Sequence, residues 1–208
     1  MIPARLALGR LREGNLRFAE GRAGRWLERC GDRIRDVAEA QEPFAVVLGC
    51  SDSRVPAEIV FDQGLGDLFV VRVAGNVAAP SQVGSVEFAV ERFGVRLVVV
   101  LGHSGCGAVR AVLDGEVPRA AEESLRAILD RIRPCVEHVS VSLSGEPREA
   151  VEEAVILANV RAAERALQTG SKGIARAVRE RGLQIVGAVY RLETGLVEWL
   201  DGPVENRA

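Results

Sequence analysis

The sequence predicts an α/β protein with a mostly parallel central β-sheet flanked by helices. Three short runs rich in valine and leucine, Phe44–Gly49, Asp67–Val73 and Arg96–Leu101, have the continuous apolar character of strands covered on both faces. Between the second and third runs, Ser81–Phe93 has its apolar residues at helical spacing. Strands that alternate with helices are typical of a parallel sheet with helical crossovers.

The remaining segments complete this layout. Apolar residues at helical spacing predict a helix within the first twenty residues, although Gly9 and Gly14 weaken it. Ser81 is the predicted N-cap of the helix that ends at Phe93. Further helices are predicted at Asp32–Ala40, Ala108–Leu113, Ala120–Val136, Pro147–Gln168 and Ser171–Arg181, and a final strand pair at Gln184–Arg191 and Leu196–Leu200.

Composition narrows the class of protein. The 208 residues, 48% hydrophobic and 27% charged, fit one domain spanning 1–208 with a sizeable core. The net charge of −2, with acids and bases interspersed, gives no basic surface for nucleic acid. No apolar stretch approaches the roughly 18–20 residues that span a bilayer, and the N-terminus has no signal-peptide pattern. We therefore expect a cytoplasmic protein that binds neither membranes nor nucleic acid and acts on a small molecule.

Two polar segments directly follow predicted strands. Cys50-Ser51-Asp52-Ser53-Arg54 comes after the first strand, and Gly102-His103-Ser104-Gly105-Cys106-Gly107 comes after the third. In parallel α/β sheets, ligand sites gather at the carboxyl ends of the strands. The two segments are therefore expected to meet at one edge of the sheet.

The two segments contain three side chains that can bind zinc: Cys50, His103 and Cys106. Three protein ligands, with the fourth position left for water, are typical of a catalytic zinc site, whereas a structural site usually has four. In a reducing compartment, the four cysteines of the chain indicate metal binding or catalysis rather than disulfides. Cys30 and Cys135 have no such neighbours and are interpreted as structural or incidental.

Two other chemistries fit these segments poorly. A cysteine-based phosphatase needs a wider gap between Cys50 and Arg54, and Asp52 would repel a phosphate group. A dinucleotide site needs Gly-x-Gly-x-x-Gly between a strand and a helix, but residues 102–107 have the order Gly-x-x-Gly-x-Gly. Neither alternative is favoured.

These segments resemble those of the β-class carbonic anhydrases. Residues 50–54 and 102–107 match the two most characteristic segments of that family, and residues 61–76 match the segment between them. Gly14-Asn15-Leu16-Arg17-Phe18 near the N-terminus is also similar to the family. The resemblance covers most of the chain.

The resemblance implies roles for five residues of the two segments. Cys50, His103 and Cys106 would bind Zn²⁺. Asp52 and Arg54 would form the acid–base pair beside the metal. In some family members the residue that matches Asp52 becomes a fourth zinc ligand at lower pH, and we adopt that as a hypothesis for Asp52.

The family's substrate pocket and assembly are implied in the same way. Gln41 matches a glutamine that hydrogen-bonds substrate, and Phe69 and Phe88 match pocket-lining positions. The backbone N–H of Gly107 is a candidate donor to the developing bicarbonate oxygens. Family members assemble through dimers, so we expect a homodimer or a tetramer of dimer pairs, with the N-terminal helix extending onto a dimer partner.

The predicted function is the zinc-dependent, reversible hydration of carbon dioxide to bicarbonate and a proton, the activity of a carbonate dehydratase. Hydrolysis of carbonyl sulfide or carbon disulfide remains an alternative, because related folds use the same Cys-His-Cys zinc site for those linear molecules. A zinc-stabilised scaffold or sensor without catalytic activity is an alternative of another class. The Asp52–Arg54 pair argues against that last alternative.

Overall fold

The structure is a computed structural model that describes residues 1–24, 30–116 and 123–200. The strands of the described residues are β1 (Ala45–Gly49), β2 (Leu68–Arg72), β3 (Leu97–His103), β4 (Gln184–Tyr190) and β5 (Val197–Trp199). Their helices are α1 (Ala4–Ala19), α2 (Cys30–Glu39), α3 (Ala57–Val60), α4 (Pro80–Phe93), α5 (Gly107–Leu113), α6 (Glu123–Ser142), α7 (Arg148–Gly170) and α8 (Lys172–Glu180). A short 3₁₀ helix covers Ala74–Asn76.

The five strands form one sheet in the order β2-β1-β3-β4-β5. β1 pairs in parallel with β2 and β3, β3 pairs in parallel with β4, and β5 is antiparallel to β4. At the carboxyl edge of the sheet Gly49 is in register with Arg72 and Leu101, and His103 with Tyr190. The predicted fold class, including the final strand pair, is confirmed.

Both faces of the sheet are buried. Val46 and Leu48 of β1 pack in one apolar cluster with residues of α4–α8, whereas Ala45 and Val47 pack in a second cluster with residues of α1 and α3. Because each face has its own helical cover, both sets of alternating side chains are apolar. This double burial explains why the strands have continuous hydrophobic runs in the sequence.

The helices depart from the predicted bounds at their ends. α4 begins at Pro80 with Ala79 as its N-cap, so the prediction of Ser81 as N-cap is wrong. Proline suits the first helical turn because it has a fixed φ and no N–H to satisfy. α6 continues beyond the predicted end at Val136 to Ser142, and its predicted start at Ala120 lies outside the described residues. Among the described residues, no helix has both the length and the apolar character needed to cross a bilayer.

α1 forms despite its two glycines. Close packing explains why one of them, Gly14, is a glycine. A Cβ built on Gly14 would lie 1.8 Å from the carbonyl oxygen of Phe61, so only glycine allows this close approach of two backbones. The next residue, Asn15, is buried and joins three segments. Its Nδ2 donates to the carbonyls of Val60 (3.1 Å) and Gly195 (2.8 Å), and its Oδ1 accepts from the N–H of Val197 (2.8 Å).

Candidate metal centre

The sheet brings three side chains that can bind a metal into one cluster. Cys50 directly follows β1, His103 is the last residue of β3, and Cys106 precedes α5. Each offers one ligand atom, and these atoms all lie within 4.8 Å of one another. All three residues are buried, with His103 fully enclosed. The sheet thus brings two sulfurs and one imidazole together in its buried interior.

The imidazole of His103 is oriented as a metal ligand. Its Nδ1 lies 2.9 Å from the carbonyl oxygen of Ser104. A carbonyl only accepts hydrogen bonds, so Nδ1 carries the hydrogen and Nε2 presents a lone pair. Nε2 is buried and has no hydrogen-bond partner among the described residues. A buried lone pair beside two thiol sulfurs fits the nitrogen and sulfur donors that Zn²⁺ prefers.

Backbone N–H groups stabilise the Cys50 sulfur as a thiolate. Asp52 and Gly75 donate to Sγ at 3.4 and 3.3 Å. The hydrogen bond with the Cys106 thiol is the main reason that the pKa of Cys50 falls to about 4. The same bond, together with burial, raises the pKa of Cys106. The two sulfurs are therefore a coupled pair, in which the shared hydrogen bond favours one thiol and one thiolate.

Gly75 contacts the Cys50 sulfur from a left-handed backbone conformation that glycine adopts without strain. Its φ is +66°, and a Cβ at this position would lie 2.7 Å from Cδ1 of Ile132. From α7, the buried Nδ2 of Asn159 donates to the Gly75 carbonyl at 2.8 Å. Asn159 therefore holds, through the Gly75 carbonyl, the residue whose N–H contacts the Cys50 sulfur.

Asp52 and Arg54 form a closely bonded pair beside the cluster. Oδ1 of Asp52 accepts from both the backbone N–H (3.0 Å) and Nε (2.9 Å) of Arg54, and Oδ2 accepts from Nη2 (2.8 Å). These bonds hold the pKa of Asp52 well below its usual range. Oδ2 also lies 3.9 Å from Nε2 of His103. The ionised carboxylate therefore faces the same space as the three ligand atoms.

Arg72, at the end of β2, stabilises the loop that carries Asp52 through two hydrogen bonds. Its Nε donates to the Cys50 carbonyl at 3.0 Å and its Nη2 to the Asp52 carbonyl at 2.6 Å. The sequence analysis did not give Arg72 or Asn159 a role at the site. The predicted parallel pairing could have indicated this role for Arg72, because it places the ends of the first two strands side by side. Asn159 has no such signal, because it lies more than 50 residues after Cys106.

Two of the predicted substrate-binding groups lie at opposite edges of the sheet. Gly107 begins α5 next to Cys106 and is exposed, so it lies at the edge that carries the cluster. Gln41 precedes β1 and lines a surface groove with Phe44. It therefore lies at the amino edge of the sheet, away from the Cys50 sulfur of its own chain.

The predicted pocket phenylalanines also lie away from the cluster within one chain. Phe69 is in register with Val46, four residues before Cys50, which is about 13 Å along a strand. Phe88 lies on α4 with its ring centroid 6.3 Å from that of Phe69, and it is 54% exposed. Phe69 is half-buried against the apolar core, so only the ring of Phe88 faces outward.

A mostly parallel α/β sheet with two cysteines and one histidine converging at its carboxyl edge is typical of a zinc-dependent enzyme of the α/β class. The family model for carbonic anhydrase matches residues 45–197. The chain is 40% identical over 194 residues to carbonic anhydrase 2 of Mycobacterium tuberculosis, a match that covers 89% of this chain and 87% of that protein. The chain therefore belongs to the β-carbonic anhydrase family.

Solved structures agree with this assignment. The β-carbonic anhydrase CafA of Aspergillus fumigatus superposes with a TM-score of 0.75 at 30% identity, covering 87% of this chain and 88% of that chain. Tetrameric β-carbonic anhydrases of Sordaria macrospora also match with a TM-score of 0.75, at 25% identity, covering 83% of this chain and 88% of that chain. The predicted family, its zinc cofactor and its activity, the hydration of carbon dioxide, are confirmed.

Proposed function

We propose that the catalytic zinc ion of this protein is bound by Cys50, His103 and Cys106. The buried, unpartnered Nε2 of His103 beside the two sulfurs is the single observation that carries the proposal. Bound zinc supplies the nucleophile for carbon dioxide hydration, because it lowers the pKa of a water molecule towards neutrality. The protein's own groups must then orient that nucleophile and receive the product.

We assign the orienting role to Asp52. Because Arg54 keeps its pKa far below neutral pH, the carboxylate accepts a hydrogen bond without retaining a proton. It can hold the O–H of the nucleophile and so direct the oxygen lone pair at the carbon atom of carbon dioxide. Arg54 fixes the direction of this acceptor through two side-chain bonds. Binding of Asp52 to zinc at lower pH stays a prediction.

The N–H of Gly107 is our candidate donor to a bicarbonate oxygen. It belongs to the first residue of α5, next to Cys106, so its N–H is among those that the helix leaves without an internal partner. Such a donor stabilises negative charge as it develops on the product.

Metal analysis and carbon dioxide hydration test these assignments together. Purified protein should contain one zinc ion per chain, and Cys106→Ser should lose both zinc and activity. Asp52→Asn should keep zinc but lower kcat/KM for hydration by about 100-fold, since the orienting carboxylate is gone. Asp130→Asn is the matched control, because Asp130 forms an exposed ion pair with Arg133 on α6. Full hydration activity in Asp52→Asn would refute the role of Asp52.

We further propose that the protein functions as a homodimer or as a tetramer of dimer pairs. Gln41, Phe69 and Phe88 lie away from the cluster of their own chain, so a pocket that contains them requires a second copy. The exposed ring of Phe88 supports this, as do Leu6 and Leu16, which α1 leaves exposed for a partner. We also propose a cytoplasmic location.

A mixing experiment tests whether the pocket is shared between subunits. Gln41→Ala has an intact metal site and Cys106→Ser has an intact Gln41, so each is expected to be impaired by itself. If Gln41 serves the partner's site, unfolding and refolding the two variants together should restore activity in mixed dimers. Light scattering should show a dimer or tetramer throughout. No recovery of activity in mixed dimers would refute the shared pocket.

A further inference from the structure

Ser104, the residue after His103, has each of its polar groups hydrogen-bonded. Its N–H donates to the Tyr190 carbonyl at 3.0 Å, and its own carbonyl accepts from Nδ1 of His103 at 2.9 Å. Its hydroxyl donates to Oε2 of Glu193 at 3.1 Å and accepts from the N–H of Leu192 at 3.0 Å. Ser104 is therefore the link between His103 and the turn that joins β4 to β5.

The carbonyl of Ser104 decides where the His103 lone pair points. The Nδ1–H bond fixes the tautomer and the plane of the ring, and it raises the basicity of Nε2. With Nδ1 held by this bond, Nε2 lies on the side of the ring that faces the two sulfurs, all three ligand atoms being within 4.8 Å of one another. A shift of the Ser104 peptide would turn the lone pair away from them.

The turn that holds the Ser104 hydroxyl is itself well anchored. The N–H of Gly195 donates to the Arg191 carbonyl at 2.8 Å, and Asn15 of α1 donates to the Gly195 carbonyl at 2.8 Å. Glu193 is exposed, but its own backbone N–H and the Ser104 hydroxyl lower its pKa, so it accepts as a carboxylate. A charge-assisted bond of this kind is stronger than a neutral one.

We propose that Ser104 and Glu193 are positioning residues for His103, holding the carbonyl that orients its imidazole for zinc. The inference rests on the proposed role of His103 as a zinc ligand. The proposal adds to the metal site a turn that lies about 90 residues further along the chain, outside both metal-binding segments.

Zinc affinity, measured by chelator competition, tests the proposal. Ser104→Ala should bind zinc about 10-fold more weakly, at the lower end for loss of an outer-shell partner, because the carbonyl itself is retained. Glu193→Ala should weaken binding in the same direction, and Glu193→Gln, which keeps an acceptor oxygen, should restore most of the affinity. If Ser104→Ala fails to fold, the zinc affinities of the two variants of the exposed Glu193 test the proposal by themselves.

Imidazole NMR of the metal-free protein provides a second readout. The chain has two histidines and His138 is exposed, so a slowly exchanging imidazole N–H signal identifies His103. Ser104→Ala should make that N–H exchange faster with water. A purely structural role for the hydroxyl would lower thermal stability and leave this signal unchanged, which would overturn the proposal.

Thr194→Ala is the matched control, because its hydroxyl accepts from the Leu196 N–H within the same turn but does not contact Ser104. It should lower stability slightly and leave zinc affinity unchanged. Equal losses of affinity in Thr194→Ala and Glu193→Ala would assign the effect to the whole turn and refute the link. If His103→Ala binds zinc normally, the proposed metal site fails. If zinc binding needs His103 but is insensitive to Ser104 and Glu193, only the present inference fails.

Discussion

The shared proton of Cys50 and Cys106 predicts how zinc affinity depends on pH. The hydrogen bond between the two sulfurs lowers the pKa of Cys50 and raises that of Cys106. Near neutral pH the pair therefore carries one proton and one negative charge. Zinc binds thiolates, so binding must release that one remaining proton.

The number of protons released sets how steeply zinc affinity depends on pH. Release of one proton makes zinc binding tenfold tighter for each unit of pH between about pH 7 and 8, or about 1.4 kcal/mol per unit. Zinc affinity rises with pH, because the pair still carries one proton throughout this range and a higher pH favours its release. Two independent thiols with ordinary pKa values near 8.5 would release close to two protons at about pH 7, and the affinity would rise nearly a hundredfold per unit.

Calorimetry in buffers with different protonation enthalpies measures the protons released per zinc ion. Chelator competition at several pH values measures the slope independently. Cys135→Ser is the control, since Cys135 is a buried free cysteine outside the metal cluster. It should leave both quantities unchanged. Release of two protons by the wild-type protein would refute the shared-proton description of the pair.

Two further predictions concern residues that shape the fold around the site. Gly14→Ala should lower the free energy of unfolding by about 3 kcal/mol, because its Cβ would overlap the Phe61 carbonyl, whereas Gly9→Ala should raise it by about 0.5–1 kcal/mol, because a Cβ there meets nothing within 4 Å. Asn159→Ala should cost about 1–3 kcal/mol in urea denaturation, because it leaves the buried carbonyl of Gly75 without its donor.

Stability measurements on control variants could contradict each of these predictions. Equal stability changes for the two glycine variants would show that α1 does not approach the segment around Phe61 closely. Gln168→Ala serves as control for Asn159→Ala, because Gln168 is an exposed residue of the same helix. If both α7 variants were equally stable, the bond from Asn159 to Gly75 would contribute nothing.

Several features of this protein were predictable from local sequence. The valine-rich runs gave the parallel strands, because a strand buried on both faces has no polar alternation. The candidate zinc ligands followed from the positions of Cys50, His103 and Cys106 directly after two of those strands, since the carboxyl ends of parallel strands share one edge of the sheet. The Asp52–Arg54 pair is equally local, because its partners lie two residues apart.

The supporting contacts depend on the tertiary structure, since each joins residues that are far apart in the chain. Asn159 reaches Gly75 across 84 residues, and Ser104 reaches Glu193 across 89. Neither pair leaves a periodic pattern or a fixed spacing in the sequence, so only the packing of α7 and the last strands brings them together. The sequence by itself determined which residues can bind the metal, because adjacent residues and strand ends set that chemistry. The tertiary structure decided how those ligands are oriented, because orientation depends on hydrogen bonds from distant elements.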